Sequence, residues 1–148
     1  MRISVKGRYA LAATILMAET YRDGECTTVS SIAERLGISK IYLEQVFAML
    51  KRGEVVKSIK GSQGGYQLAR IPSEMTALHI LAAVEQALFE PTEQTVADHA
   101  PEMDQTMKGS IFEPLDQSLK TTLGSITLSD LVADLDRRQS EQIPMFYI

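Results

Sequence analysis

Apolar residues recur at three- and four-residue spacing along most of the chain, which is the pattern of helices that bury one face. Gly37, Gly53 and the pair Asp23-Gly24 stand where such helices are expected to end. The spacing predicts helices over residues 7–21, 29–36, 40–52 and 76–88 and a longer helical stretch that starts at Met103. Thr28 is the expected N-cap of the second helix, and Thr127 with Asp130 resembles a capping box for a last helix to about Arg138.

Two short runs have the character of strands: Val55 to Lys60 and Tyr66 to Ala69. Three glycines between them, Gly61, Gly64 and Gly65, favour a tight turn, so we expect a β-hairpin. The polar and acidic run over residues 91–101 has no periodicity and predicts a loop.

After Met103 the apolar residues fall four positions apart. They are Met103, Met107, Ile111, Leu115, Leu119 and Leu123. Each such step advances about 40° beyond a full helical turn, so the row winds around the helix. Pro114 is expected to bend the helix near residues 110–114 or to divide it into two pieces. Because a small helical module cannot bury the part of this row from Met107 to Leu123 alone, we expect a homodimer.

Residues 29–49 have the pattern of a helix-turn-helix. Ala33 is small where the two helices approach most closely, and Gly37 tolerates the positive φ of a tight turn. The residues expected to fix the pair to the core are Ile32, Leu36, Ile38, Leu43 and Val46. A purely structural helix pair would satisfy part of this pattern, but the hairpin that follows favours a winged helix-turn-helix, whose second helix enters the major groove of DNA.

The predicted fold is therefore mainly α, with a small β-wing and a long C-terminal dimerisation helix. We expect a DNA-binding domain over residues 1–88, an acidic loop over 89–102, dimerisation helices over 103–138 and a tail over 139–148.

The charge is unevenly distributed along the chain. The net charge is -4, but residues 1–70 carry eleven basic and six acidic residues, a net of +5, while residues 71–148 carry four basic and thirteen acidic residues, a net of -9. Chance clustering is one explanation. A basic N-terminal module on an acidic body is also what a protein needs if one of its faces binds a polyanion.

The exposed positions on the second helix of the motif are the expected contacts to base edges. Glu44 can accept a hydrogen bond from cytosine and Gln45 can pair with adenine. Alternatively, Glu44 is a solvated partner of Lys40 or Lys51. The expected base contacts are Ser39, Lys40, Ile41, Glu44 and Gln45, with Lys51 as a further DNA contact on the same helix.

Basic residues around the motif are expected to bind phosphates regardless of sequence. Gly64 and Gly65 are expected to let the wing approach the duplex closely, whereas Tyr66 is expected to pack against the core. The expected phosphate contacts are Arg2, Lys6, Lys57 and Lys60; Arg8 either joins them or forms a structural ion pair.

Four blocks of the sequence resemble the Rrf-type winged helix-turn-helix regulators, a family that includes IscR, NsrR and CymR. They are Met1–Ala10 (MRISVKGRYA), Ile38–Phe47 (ISKIYLEQVF), Gly61–Leu68 (GSQGGYQL) and Ser125–Leu131 (SITLSDL). The resemblance implies a homodimeric regulator that binds a pseudo-palindromic operator, with DNA contacts at Ser39, Glu44, Gln45 and the wing cation. Lys60 stands where many members have arginine, and lysine lacks the planar fork with which arginine reads bases or the minor groove.

No iron–sulfur cluster is expected. Members that bind a cluster carry three cysteines in the loop that corresponds to residues 90–108, where this chain has Asp, Glu and His99 but no cysteine. Because such clusters need several thiolate ligands, the chain is most similar to the cluster-free CymR branch. That resemblance implies a regulator of sulfur and cysteine metabolism, and we expect a repressor.

Cys26 is the sole cysteine of the chain and cannot form an internal disulfide. It lies just before the second helix, as a cysteine does in the CymR branch. We therefore consider it a candidate redox switch that acts by sulfenylation or an intermolecular disulfide. The alternative is an inert residue, because the neighbouring Glu25 disfavours the thiolate.

The last residues, Phe146, Tyr147 and Ile148, are apolar. Such a tail with its terminal carboxylate suits capture by the backbone amides of a partner, although it could also pack on the dimer. The resemblance implies that the partner is cysteine synthase, a pyridoxal-phosphate enzyme. The alternative function is therefore a protein-binding regulator of that enzyme with weak DNA binding.

An enzyme is not expected. His79, His99 and one distant cysteine form no nucleophile–base or metal-ligand spacing, and the wing glycines lack the strand–helix unit of a phosphate-binding loop. Lys6, Arg8 and Glu19 interrupt the apolar N-terminal run, which argues against a signal peptide or a membrane span. We expect a cytoplasmic protein without a metal or a cofactor.

Overall fold

The structure is a computed structural model that describes residues 2–62 and 64–142. Helices dominate these residues, and two strands form one small antiparallel sheet, as expected. The elements are α1 (Val5–Glu19), α2 (Val29–Leu36), α3 (Lys40–Arg52), β1 (Val56–Ile59), β2 (Gly65–Leu68), α4 (Ala77–Val84), α5 (Gln86–Phe89), α6 (Pro101–Met107), a π-helical turn (Lys108–Phe112), α7 (Glu113–Gly124) and α8 (Leu128–Gln142).

The first helix starts two residues before its predicted start. Ser4 is its N-cap, and the Ser4 Oγ accepts a hydrogen bond from the backbone N–H of Gly7 at 3.2 Å. The helix also ends two residues earlier than predicted. Its buried face is built from small residues such as Ala10 and Ala13, both fully buried, which lets α3, α4 and α8 pack closely against it.

One hydrophobic core joins the helices to the sheet. Its largest fully buried side chains are Phe47, Ile32, Leu43, Leu50, Met75, Ile80 and Leu128. Leu128 belongs to α8, so this helix packs on the N-terminal module although it falls within the predicted dimerisation segment. The predicted division of the chain into four segments stays a prediction.

The wing is a two-stranded antiparallel hairpin in which Val56 lies opposite Leu68. β1 is one residue shorter at each end than predicted, whereas β2 has the predicted length but starts and ends one residue earlier. The loop before α2 joins the hairpin: the Thr27 N–H donates to the Tyr66 carbonyl at 2.9 Å, and the Tyr66 N–H donates to the Thr27 carbonyl at 2.8 Å. These two bonds fasten the wing to the segment that connects α1 with α2.

The predicted helix over residues 76–88 is divided in two. Thr76, the predicted first residue, is instead the N-cap, and α4 runs from Ala77 only to Val84. Glu85 leaves the helical conformation, with φ -111° and ψ 63°, and its carboxylate accepts a hydrogen bond from the backbone N–H of Ser4 at 2.7 Å. The remaining residues form only the single turn of α5.

The helical stretch from α6 to α7 is interrupted by the π turn, close to where a bend was predicted. Pro114 has no N–H, and its ring conflicts with the carbonyl of the preceding turn in a regular α-helix. Immediately before it, the backbone N–H of Glu113 donates to the carbonyl of Lys108, five residues earlier. The helix is therefore widened by one π turn rather than sharply broken.

The last helix starts with the predicted capping box. The Thr127 N–H donates to Asp130 Oδ2 at 2.9 Å, and the Asp130 N–H donates to Thr127 Oγ1 at 3.1 Å. The helix continues four residues beyond its predicted end. On its exposed side, hydrogen bonds from Arg138 and Arg137 lower the pKa of the Asp134 carboxyl, and such pairs support the last turns.

Candidate nucleic-acid interface

The helix-turn-helix formed by α2 and α3 has the predicted boundaries. Thr28 Oγ1 accepts from the Ser31 N–H at 3.1 Å, and Ser39 Oγ accepts from the Tyr42 N–H at 3.4 Å. Gly37 adopts φ 65° and ψ 35°, the left-handed conformation that closes α2. The capping residues in the sequence therefore set the turn that orients α3.

The third helix has one buried face and one exposed face. Leu43, Val46, Phe47 and Leu50 are fully buried, whereas Ile41 is 72% exposed. The exposed residues of α3 and its cap, which we call the recognition face, are Ser39, Lys40, Ile41, Glu44, Gln45, Ala48, Lys51 and Arg52. All five predicted base contacts lie on this face, within the first two turns.

One ion pair lies on the recognition face. Lys40 Nζ is 3.9 Å from Glu44 Oε1, and the two side chains are 57% and 54% exposed. This is the alternative partner considered for Glu44. An ion pair this exposed contributes at most about 1 kcal/mol to the stability of the fold. Both side chains can therefore exchange this contact for one with a ligand.

Aromatic contacts hold the wing and α1 against α3. The rings of Phe47 and Tyr66 have centroids 4.9 Å apart, and those of Tyr9 and Tyr42 meet edge to face at 5.5 Å. The expected packing of Tyr66 against the core is confirmed.

The glycines of the wing have close backbone neighbours within the protein. A Cβ at Gly64 would lie 2.4 Å from the carbonyl oxygen of Ile59, and a Cβ at Gly65 would lie 2.7 Å from that of Thr27. The packing of the wing therefore excludes larger residues at both positions. This requirement is independent of the predicted approach of the wing to DNA.

The predicted phosphate contacts lie in two regions. Arg2 and Lys6 lie before and within the first turn of α1, where Lys6 is half-buried, while Lys57 and Lys60 are exposed on the wing. Within residues 2–62 and 64–142, none of the four, nor Arg8, has a carboxylate oxygen within 4.0 Å. The ion pair considered for Arg8 is thus not found there.

Lys57 also borders a cavity of about 310 Å³ between the wing and the loop after α1. The half-buried Cys26 lines the same cavity, with its Sγ 3.8 Å from Nε2 of Gln67. Arg22 and Arg70 line it as well. They were not among the predicted site residues, because only the folded hairpin brings their two loops together.

His79 caps a helix. The Thr76 N–H donates to His79 Nδ1 at 3.1 Å, and the His79 N–H donates to Thr76 Oγ1 at 3.2 Å. Burial and, to a smaller degree, the nearby Arg70 lower the pKa of His79. The neutral imidazole thus completes a capping box at the start of α4.

Comparison with known proteins assigns this arrangement to a family. Residues 3–134 match the Rrf2 family, described as an iron-dependent transcriptional regulator. The chain belongs to this family. It is 36% identical over 148 residues to the HTH-type transcriptional regulator CymR of Bacillus subtilis, with all of both chains covered. It is 30% identical to the HTH-type transcriptional regulator IscR of Xenorhabdus nematophila, covering 96% of this chain and 89% of that protein.

A solved structure supports the same assignment. The structure of CymR, the global cysteine regulator of B. subtilis, matches this Rrf2 protein with a TM-score of 0.70 and 32% identity, covering 90% of this chain and 97% of that chain. The fold is therefore the winged helix of CymR. The protein is a helix-turn-helix transcriptional regulator and not an enzyme, as predicted.

The iron named in the family description requires ligands. Within the residues that the structure describes, no three His, Cys, Asp or Glu side chains form a group that could hold a metal ion. The single cysteine, Cys26, lies between α1 and α2. Because an iron–sulfur cluster needs several thiolates, the residues of this Rrf2 protein do not fit one.

Two further expectations concern membranes and the tail. No helix in the described part of the chain is long and apolar enough to cross a bilayer. The predicted partner-binding residues Phe146, Tyr147 and Ile148 lie outside the described residues.

Proposed function

We propose that this Rrf2 protein is a cytoplasmic homodimer that binds specific operators and represses genes of sulfur and cysteine metabolism. The observation that carries the proposal is the recognition face, where the predicted base contacts lie exposed together beside a basic wing. The metabolic role is supported by similarity to CymR, described as the global cysteine regulator of B. subtilis.

In this proposal the recognition face enters the major groove, while the wing and the start of α1 hold the DNA backbone. Gln45 suits adenine, Glu44 suits cytosine once it leaves Lys40, and Ile41 suits a thymine methyl. The proposed base contacts are Ser39, Lys40, Ile41, Glu44 and Gln45; the proposed phosphate contacts are Arg2, Lys6, Lys51, Lys57 and Lys60, with close approach of the wing at Gly64 and Gly65.

The proposed homodimer is supported by the apolar surface along α6, the π turn and α7. Met103, Ile111 and Leu115 are 62%, 49% and 63% exposed, which is unusual for large apolar side chains grouped on one helical stretch. Two-fold pairing of these helices would cover them and present two recognition faces about 34 Å, or a multiple, apart. Light scattering should then give a dimer, and Leu115→Glu should shift it towards a monomer.

The decisive experiment is footprinting upstream of sulfur-metabolism genes, followed by binding measurements over a salt series. Because several phosphates are neutralised, affinity should fall steeply with salt. Gln45→Ala should weaken the free energy of binding to the operator by about 1–3 kcal/mol and leave binding to other duplexes unchanged. Lys60→Ala should reduce the slope of log affinity against log salt concentration by about 1 on any duplex. Lys120→Ala, on the acidic half of the chain, is the matched control. A monomer without salt-dependent affinity for duplex DNA would contradict the proposal.

We also propose that oxidation of Cys26 weakens operator binding. Its Sγ lies beside the wing residue Gln67, so an added oxygen or a mixed disulfide would clash with Gln67 and displace the wing. Peroxide should lower the operator affinity of the wild type, and Cys26→Ser should remove this effect. Equal sensitivity in both proteins would show that Cys26 is inert.

A second candidate function is regulation of cysteine synthase through Phe146, Tyr147 and Ile148. Its support is the apolar tail sequence together with the family resemblance. A pull-down with the purified enzyme should succeed with the complete protein and fail after deletion of Tyr147 and Ile148. An unchanged pull-down would contradict the tail as the binding segment, while footprinting tests operator binding separately.

A further inference from the structure

A second cavity lies away from the recognition face, beside the π turn. It has a volume of about 350 Å³ and is enclosed by the loop segment 91–94 and the helical stretch from α6 to α7. Its charged lining residues are Glu93, Asp104, Lys108, Glu113 and Asp116. With four carboxylates against one ammonium group, the cavity is suited to a cation.

Asp104 is the deepest of these acids. It is only 7% exposed, yet among residues 2–62 and 64–142 no hydrogen-bond donor or basic group lies within bonding distance of its carboxylate. No buried side-chain oxygen of the described residues is both sealed from solvent and without a hydrogen bond, so the carboxylate of Asp104 faces the open cavity. Water in the cavity hydrates this carboxylate, and a cation that enters the cavity can bind it directly.

Lys108, the basic residue of the cavity, does not pair with the carboxylate of Asp104. Lys108 Nζ pairs with Glu113 Oε1 at 3.9 Å, and both side chains are more than half exposed. This pair therefore lies at the rim. The three remaining carboxylates, on Glu93, Asp104 and Asp116, are left for a cation from outside the described part of the chain.

The chemistry of the lining favours an organic cation over a metal ion. No three ligating side chains in the described residues are arranged to hold a metal, and the cavity is large enough for a small molecule. Phe112 contributes a half-buried aromatic wall, against which methylene groups can pack and which attracts ammonium groups. Lys108 and Phe112 bound the π turn, a feature that is frequent at functional sites.

We propose that this cavity binds a small aliphatic diamine. One ammonium group pairs with the carboxylate of Asp104, and the methylene chain lies along Phe112. The second ammonium group lies between the carboxylates of Glu93 and Asp116. The inference is independent of the proposed DNA binding, because the cavity and its ligand involve no residue of the recognition face or the wing.

The test is calorimetric titration of the 148-residue protein with 1,4-diaminobutane. We expect saturable binding with a Kd below about 1 mM, and no binding of the neutral analogue 1,4-butanediol at the same ionic strength. Asp104→Asn should weaken the affinity at least about tenfold, because it removes a charge-assisted hydrogen bond. Glu102→Gln, an exposed acid on the same helix, is the matched control and should leave the affinity unchanged.

Thermal melting separates this role from a structural one. Asp104→Asn preserves the shape of the side chain and breaks no hydrogen bond or ion pair of the carboxylate among the described residues, so its melting temperature without diamine should not fall below that of the wild type. The diamine should raise the melting temperature of the wild type only. The proposal would be overturned by absence of saturable binding, by equal diamine affinity of the wild type and Asp104→Asn, or by MgCl₂ raising the melting temperature of the wild type as much as the diamine does.

Discussion

The carboxylate of Glu85 accepts a hydrogen bond from the backbone N–H of Ser4 at 2.7 Å and a second from the Ser4 hydroxyl. The contact joins the start of α1 to the end of α4. Gly7 permits it, since a Cβ at that position would lie 2.4 Å from Glu85 Oε1. Glu85 therefore positions the segment that carries Arg2 and Lys6, both proposed phosphate contacts.

Glu85→Ala should lower the free energy of unfolding by about 1–3 kcal/mol, because it removes charge-assisted hydrogen bonds and leaves the Ser4 N–H without its partner. Urea denaturation measures the change. Glu90 is an exposed acid nearby, and the free energy of unfolding of Glu90→Ala should stay within about 0.5 kcal/mol of the wild-type value. Equal losses in the two variants would show that the contact with Ser4 does not stabilise the fold.

Gly65→Ala should destabilise the protein by about 1–3 kcal/mol. The new Cβ would meet the Thr27 carbonyl, which cannot move away without losing its hydrogen bond from Tyr66. Gly109 is the matched control: a Cβ there meets nothing within 4 Å, so Gly109→Ala should gain about 0.5–1 kcal/mol from helix propensity. Urea denaturation of the two variants should give changes of opposite sign.

Ile41 should distinguish thymine from uracil in an operator. An apolar side chain that is 72% exposed at the start of α3 can bury the thymine methyl, a contact worth about 0.8 kcal/mol or about fourfold in affinity. Fluorescence anisotropy on duplexes with single deoxyuridine substitutions measures this. Ile41→Ala should abolish the difference, and Lys51→Ala should weaken both duplexes alike. Discrimination that survives Ile41→Ala would assign it to another residue.

The melting temperature should fall as the pH decreases from about 7.5 to about 5.5. His79 Nδ1 accepts the Thr76 N–H only when the ring is neutral, and burial, followed by Arg70, lowers the pKa of His79 in the folded protein. The unfolded chain takes up the proton at higher pH, so stability is lost as the pH falls below about 6.5. His79→Gln, which keeps an acceptor at this position, should flatten the pH dependence, while His99→Gln should not.

Local signals in the sequence predicted the elements whose ends they cap. Thr28 and Gly37 bound α2 as expected, and Thr127 with Asp130 starts α8. These signals involve residues at most nine positions apart, so their geometry follows from short-range sterics and hydrogen bonding. The exposed face of α3 was predictable for the same reason, because helical periodicity alone separates it from Leu43 and the other core residues.

Features that depend on distant contacts were not predictable. The early end of α4 follows from the contact of Glu85 with Ser4, which are 81 positions apart. The cavity around Asp104 forms only because the loop over residues 91–94 folds against α6 and α7. In the sequence, this acid is one of several in a polar stretch, and nothing indicates that it becomes buried.

The π turn also changes the direction in which the apolar row faces. Over the twenty residues from Met103 to Leu123, a regular α-helix would carry the row through about 200°, so that its ends pointed in nearly opposite directions. The widened turn takes up roughly one extra residue, which subtracts about 100° from that rotation. The row therefore turns through only about half of that angle, so more of it faces the same side of the helical stretch, where a second copy of the chain can cover it.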